Sequence, residues 1–164
     1  MIWNKIIRLI HWSVAGIVFL NLFFLDEGDL LHRYLGYAAL GFVIFRIIYG
    51  FKSAGPHSFV EFPISLLEIK NFFMSKINRQ NLDYKGHNPA ASLVYILIWI
   101  IVIFLGLTGW MMGLDRYFGE DWVMRIHEVL ADGLKILVLF HFIGITLDSI
   151  QFKRKSWLKM ITGK

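Results

Sequence analysis

The chain has 164 residues, of which 57% are hydrophobic and none is cysteine, and its formal net charge is +5. Its mean hydropathy of +0.58 is too high for an ordinary soluble domain, so the composition predicts a membrane protein. The lack of cysteine excludes disulfides, iron–sulfur clusters and the covalent attachment of a c-type haem.

Long apolar segments predict four membrane spans, at about 9–25, 34–50, 90–114 and 123–148. We therefore expect an all-α fold, a four-helix transmembrane bundle that forms a single domain over residues 1–164. A longer loop separates the second span from the third. Apolar and charged residues alternate within its 57–80 segment, which indicates an amphipathic helix on the inner membrane surface.

The first span has the charge pattern of a signal peptide, because Lys5 and Arg8 precede its apolar run. However, the run ends in NLFFLDEG, which offers no small-residue cleavage site, and it contains His11. We expect the segment to be retained as a membrane span.

The distribution of charge predicts the orientation of the spans. Twelve of the 17 Lys and Arg residues lie in the N-terminus, the 51–88 loop and the C-terminal tail, whereas Asp and Glu dominate the two short connections. The positive-inside rule then places both termini and the long loop in the cytoplasm. Because this topology explains the net positive charge, we infer no binding to nucleic acid.

Four of the six histidines fall in or beside the spans. His127 and His141 are 14 residues apart in the fourth span. Because 14 residues make nearly four helical turns, the two side chains leave almost the same face of the helix, about 21 Å apart along its axis. Since the spans alternate in direction, His11 should lie level with His141 near the inner side, and His32 level with His127 near the outer side. A single membrane histidine is commonly a hydrogen-bonding residue between helices. Two matched pairs in a bundle core instead predict cofactor ligation, and two centres stacked at different depths suit haem better than a single bare metal ion.

Three further residues are weaker candidates. Arg46 is a charge inside the second span, where it either binds a haem propionate or extends to the inner interface. His57 in SAGPHSF is interpreted as a solvated loop residue. His87 precedes Asn88 and Pro89, a predicted N-cap and first helical residue, and it either ends the loop or faces the inner haem. Glycines in the spans would allow close approach of a helix or of a flat porphyrin.

Several short segments occur in an order typical of one family: RLIHWSVAG, HRYLGY followed by RIIYGF, GHNPAA with LTGW, HEVLAD with LFHFIG, and a closing MITGK. In these segments the chain resembles the prokaryotic cytochrome b561 superfamily, particularly the cytochrome b subunits of the nickel–iron hydrogenase type. The resemblance implies two non-covalent b haems. Their axial iron ligands would be His11 with His141, and His32 with His127.

The function implied by the resemblance is electron transfer between a quinone pool and a redox partner, in the cytoplasmic (inner) membrane of a bacterium. The partner would be a cytochrome c or a hydrogenase-like or dehydrogenase subunit. The chain would then be the electron-transfer subunit of an oxidoreductase rather than a stand-alone enzyme. Two alternatives stay open: a self-contained quinone oxidoreductase, for example one that oxidises superoxide, and a haem-free structural or transport bundle.

Overall fold

A computed structural model describes residues 3–53, 58–59, 62–78, 80, 82 and 88–163. Four of its helices are long and apolar enough to cross a bilayer: α1 (Lys5–Phe23), α2 (Leu30–Lys52), α4 (Pro89–Met111) and α5 (Asp121–Gln151). Two further helices are α3 (Leu66–Ile77), between α2 and α4, and the short α6 (Lys159–Thr162), after α5. No strand occurs in these described ranges. The predicted all-α fold with four transmembrane helices is confirmed.

Polar caps decide where the spans begin. The Asn4 side chain accepts a hydrogen bond from the Ile7 N–H at 2.9 Å, so α1 starts at Lys5 rather than near residue 9. Asn88 caps α4 in the same way, with Pro89 as its first residue, as the sequence predicts. The apolar windows missed the first turn of α1 because that turn carries charged residues.

Helix α3 accounts for part of the amphipathic segment expected within 57–80. A capping box begins it, since the Glu68 N–H donates to Ser65 Oγ and the Ser65 N–H donates to the Glu68 carboxylate. Phe72 is buried on one side of the helix, whereas Leu66 is 86% exposed on another. The helix therefore buries one face on the protein and leaves apolar residues exposed on another, and its location at the inner membrane surface stays a prediction.

Helix packing follows chain order: α1 packs on α2, α2 on α4, and α4 on α5. Gly106 allows the close approach of α2 to α4, because a Cβ atom there would lie 2.7 Å from Leu40 Cδ2. The buried core lies between α2, α4 and α5 and consists of Ala39, Val43, Trp99, Val102 and Leu134. Among the described helices, α5 is in close and extensive contact with α4 but not with α1 or α2.

Candidate cofactor site

The structure brings the four candidate histidines together as two pairs. The ring centroids of His11 on α1 and His141 on α5 are 6.2 Å apart, and the rings are inclined by 53°. The centroids of His32 on α2 and His127 on α5 are 6.3 Å apart, with an inclination of 55°. All four residues are partly buried. These are the two pairs expected from the alternating direction of the spans.

Each pair joins two helices that do not pack closely on one another. Helix α5 carries one histidine of each pair but packs mainly on α4, while the partner histidines stand on α1 and α2. Each imidazole pair is therefore a ring contact between helices whose backbones do not pack closely. Paired imidazoles between loosely packed helices form a suitable place for a planar group.

Gly144 borders open space close to His141, at an exposed position of α5. Gly144 has nothing within 4 Å of its ideal Cβ position, and it lies three residues after His141, about 60° from it around α5. Gly16 and Gly41 also border open space, but they point well away from the histidine of their own helix. At Gly113 a Cβ atom would lie 2.6 Å from Arg33 Nη2, so this glycine makes room for an arginine side chain and not for a cofactor.

Thr108 determines which nitrogen of His127 is free. Thr108 Oγ1 donates its single hydrogen to the Phe104 carbonyl oxygen at 2.8 Å, and it also lies 2.8 Å from His127 Nδ1. With the hydroxyl hydrogen on that carbonyl, the hydroxyl accepts from the His127 Nδ1–H, and Nε2 keeps its lone pair. This is the tautomer that a metal-binding imidazole requires. Sequence reasoning missed Thr108, although a hydroxyl residue in an otherwise apolar span was a visible signal.

His32 is held through its backbone and has an unsatisfied ring nitrogen. Asn21 Nδ2 of α1 donates to the His32 carbonyl oxygen at 3.2 Å, which fixes the start of α2 against α1. The Nδ1 atom of His32 is buried and has no hydrogen-bond partner in the described part of the chain.

Arg46 is buried in an aromatic cage, with only 1% of its surface exposed. Its guanidinium carbon lies 5.0 Å from the ring centroid of Phe59 and 5.5 Å from that of Trp99, within cation–π range. Gly50 makes room for the cage, because a Cβ there would lie 2.5 Å from the Phe59 ring. The guanidinium is thus enclosed by aromatic rings, and its contact with a haem propionate or its extension to the inner interface stays a prediction. His57 and His87 lie outside the described residues.

The family model described as prokaryotic cytochrome b561 matches residues 2–163. The chain belongs to this family. It is therefore a membrane protein that binds haem b and transfers electrons. No curated protein and no solved structure matches the chain.

The geometry of both pairs fits the haem b that the cytochrome b561 family binds. A metal–imidazole bond of about 2 Å, plus about 1.1 Å from each nitrogen to its ring centroid, puts two axial imidazoles about 6.2 Å apart, centroid to centroid. The observed separations are 6.2 and 6.3 Å. A direct N–H···N hydrogen bond would bring the centroids closer, to about 5 Å. The described residues contain no cluster of three or more His, Cys, Asp or Glu side chains for a bare metal ion.

Replacing Thr108 with valine should weaken haem binding at the His32–His127 pair, because the nearly isosteric side chain removes the acceptor that holds the proton on His127 Nδ1. Loss of such a hydrogen bond typically costs about 10- to 100-fold in metal affinity. Haem titration of the apoprotein measures the effect. Thr108→Ser keeps the hydroxyl and should bind as the wild type does. Equal affinity of the valine and serine variants would show that Thr108 does not orient His127.

Proposed function

We propose that this chain is a di-haem cytochrome b that transfers electrons across the membrane between a quinone and a redox partner protein. In this proposal His11 and His141 are the axial ligands of one haem, and His32 and His127 those of the other. The single observation that carries the proposal is the equal spacing of the two histidine pairs, 6.2 and 6.3 Å between ring centroids. The whole chain, residues 1–164, would form one domain around them.

The donor set defines the chemistry. Two imidazoles per haem, His11 with His141 and His32 with His127, would hold the iron from both sides, so the bound group would supply reversible one-electron transfer rather than binding of oxygen or substrate. The protein's own contribution is to hold the imidazoles at a fixed separation and in the correct tautomer. Thr108 performs the second task for His127.

The spacing along α5 explains why two centres would be useful. His127 and His141 are 14 residues apart on one continuous helix, so the two levels are separated by about 21 Å. Electron tunnelling falls steeply with distance, and two stacked centres divide the crossing into shorter intervals. This arrangement suits transfer between opposite membrane surfaces.

The membrane orientation is also part of the proposal. The excess of Lys and Arg in the N-terminus, the long loop and the C-terminal tail supports a bacterial inner-membrane location with both termini in the cytoplasm. The His11–His141 pair would then lie near the cytoplasmic side, and the His32–His127 pair near the outer side. The partner would be a cytochrome c, a dehydrogenase subunit, or a hydrogenase-like subunit as in nickel–iron hydrogenase systems.

Purified protein is expected to carry two low-spin b haems per chain. A pyridine-haemochrome assay gives the ratio of haem to protein, and the visible spectrum gives the spin state. Because both axial positions of each haem iron would be occupied by histidine, the reduced protein should not bind carbon monoxide readily. A ratio near zero, or a high-spin spectrum with ready carbon monoxide binding, would contradict the proposal.

A further inference from the structure

The end of α5 folds back towards α1 through a defined turn. Lys153 has a φ of +49°, and the Arg154 N–H donates to the Ser149 carbonyl oxygen at 3.1 Å, which closes a Schellman-type C-cap. After this turn come a 3-10 turn at Ser156–Leu158 and helix α6. The chain therefore leaves α5 in a fixed direction rather than as a free tail.

A partly buried ion pair holds the turn closed. Arg154 Nη2 and Nε donate to the two carboxylate oxygens of Asp148 at 2.7 and 3.0 Å, which is the bidentate geometry that arginine favours. Ser156 Oγ donates to the same carboxylate. The side chains of Arg154 and Asp148 are only 26% and 18% exposed, so solvent screens this pair less than it screens a surface ion pair.

Helix α6 then docks on α1 beside His11. Arg8 Nη1 donates to the Ile161 carbonyl oxygen at 2.5 Å, and Trp12 Nε1 donates to that of Met160 at 3.0 Å. These carbonyl groups lie at the C-terminal end of a four-residue helix, where they have no partner within the helix. Arg8 and Trp12 flank His11 in the sequence, three residues before it and one after it.

We propose that residues 148–163, here called the C-terminal clasp, set the separation of α1 and α5 at the His11–His141 pair. These two helices are not a closely packed pair among the described helices, whereas α5, the Ser156–Leu158 turn, α6 and α1 contact one another in succession. Asp148, Arg154 and Trp12 are thus positioning residues that act through the two histidines. The inference rests on the proposed function for its consequence at the haem, but not for the mechanical link itself.

The link can be measured without haem. The chain contains no cysteine, so the double substitution Leu9→Cys and Leu147→Cys places two nitroxide labels unambiguously, on exposed sites of α1 and α5. Double electron–electron resonance should give one narrow distance distribution in the otherwise wild-type protein. Asp148→Asn or Arg154→Met should broaden it and shift it to longer distances. The exchange Asp148→Arg with Arg154→Asp should restore it in part.

Haem content tests the consequence for the site. In the Asp148→Asn and Arg154→Met variants, the spectral component that His11→Ala removes should be lost, whereas the component that His127→Ala removes should stay. The retained component also shows that the bundle has folded. The matched control is Asp132→Asn with Lys135→Met, which removes an exposed i,i+3 ion pair of the same helix. Because this pair lies about 13 to 16 residues from Asp148 along α5, the control should change neither the distance nor the haem content.

The outcomes separate the two hypotheses. An unchanged distance in both clasp variants would refute the mechanical link. A longer distance with both haems bound normally would refute the positioning role. If even the wild-type protein bound no haem, the proposed function would fail, while the distance measurement would still decide whether the clasp joins α5 to α1.

Discussion

Replacing His141 with alanine is expected to remove one haem and leave most of the other, and His127→Ala should remove the opposite one. Each pair has its own ring contact, and the two levels lie about four helical turns apart on α5. Loss of one ligand therefore leaves the second pair intact. Low-temperature optical and electron paramagnetic resonance spectra, with the haem-to-protein ratio, would identify which component each variant lacks.

The second histidine of each pair provides an internal check. His11→Ala should reproduce the spectrum of His141→Ala, and His32→Ala that of His127→Ala. His57→Ala serves as the matched control, because it removes a histidine from the loop between the second and third spans. The pairing would be wrong if His141→Ala and His127→Ala removed the same component, or if His57→Ala removed one.

The sequence predicted the four spans and the spacing of His127 and His141 along one helix because both follow from local periodicity, whereas the depth of the histidines in a membrane stays a prediction. An apolar run of sufficient length defines a span, and 14 residues define nearly four turns of one helix. The pairs then needed only the alternating direction of consecutive spans. The ends of the spans were less well predicted, since Asn4 and the charged first turn of α1 lie outside an apolar window.

The parts that sequence reasoning missed connect residues that are distant in the chain. Thr108 reaches His127 from a neighbouring helix, and Trp12 reaches Met160 across almost the whole sequence. Neither contact follows from a propensity or a spacing, because each depends on how two elements are rotated when they pack. Arg46 illustrates the same limit: its charge was visible in the second span, but its cage includes Phe59 from beyond α2.

Electron transfer between opposite sides of a vesicle should be almost abolished in both His11→Ala and His32→Ala. In the proposed route the two centres act in series, so either loss leaves the remaining centre about 21 Å from the level of the missing one and farther still from the far surface. The remaining haem should still be reduced from its own side. The assay uses reconstituted vesicles with an impermeant donor outside and an acceptor trapped inside, and it follows the absorbance of the acceptor.

The controls of this experiment separate transfer from binding. The Asp132→Asn, Lys135→Met double variant alters only exposed charges of α5 and should transfer electrons at the wild-type rate. In each histidine variant, reduction of the remaining haem by a donor on its own side shows that the protein is inserted and folded. Since that reduction needs only one centre, its survival with loss of transmembrane transfer would place the two haems in a single series pathway. Wild-type rates in both histidine variants would instead show that electrons cross this protein by another route.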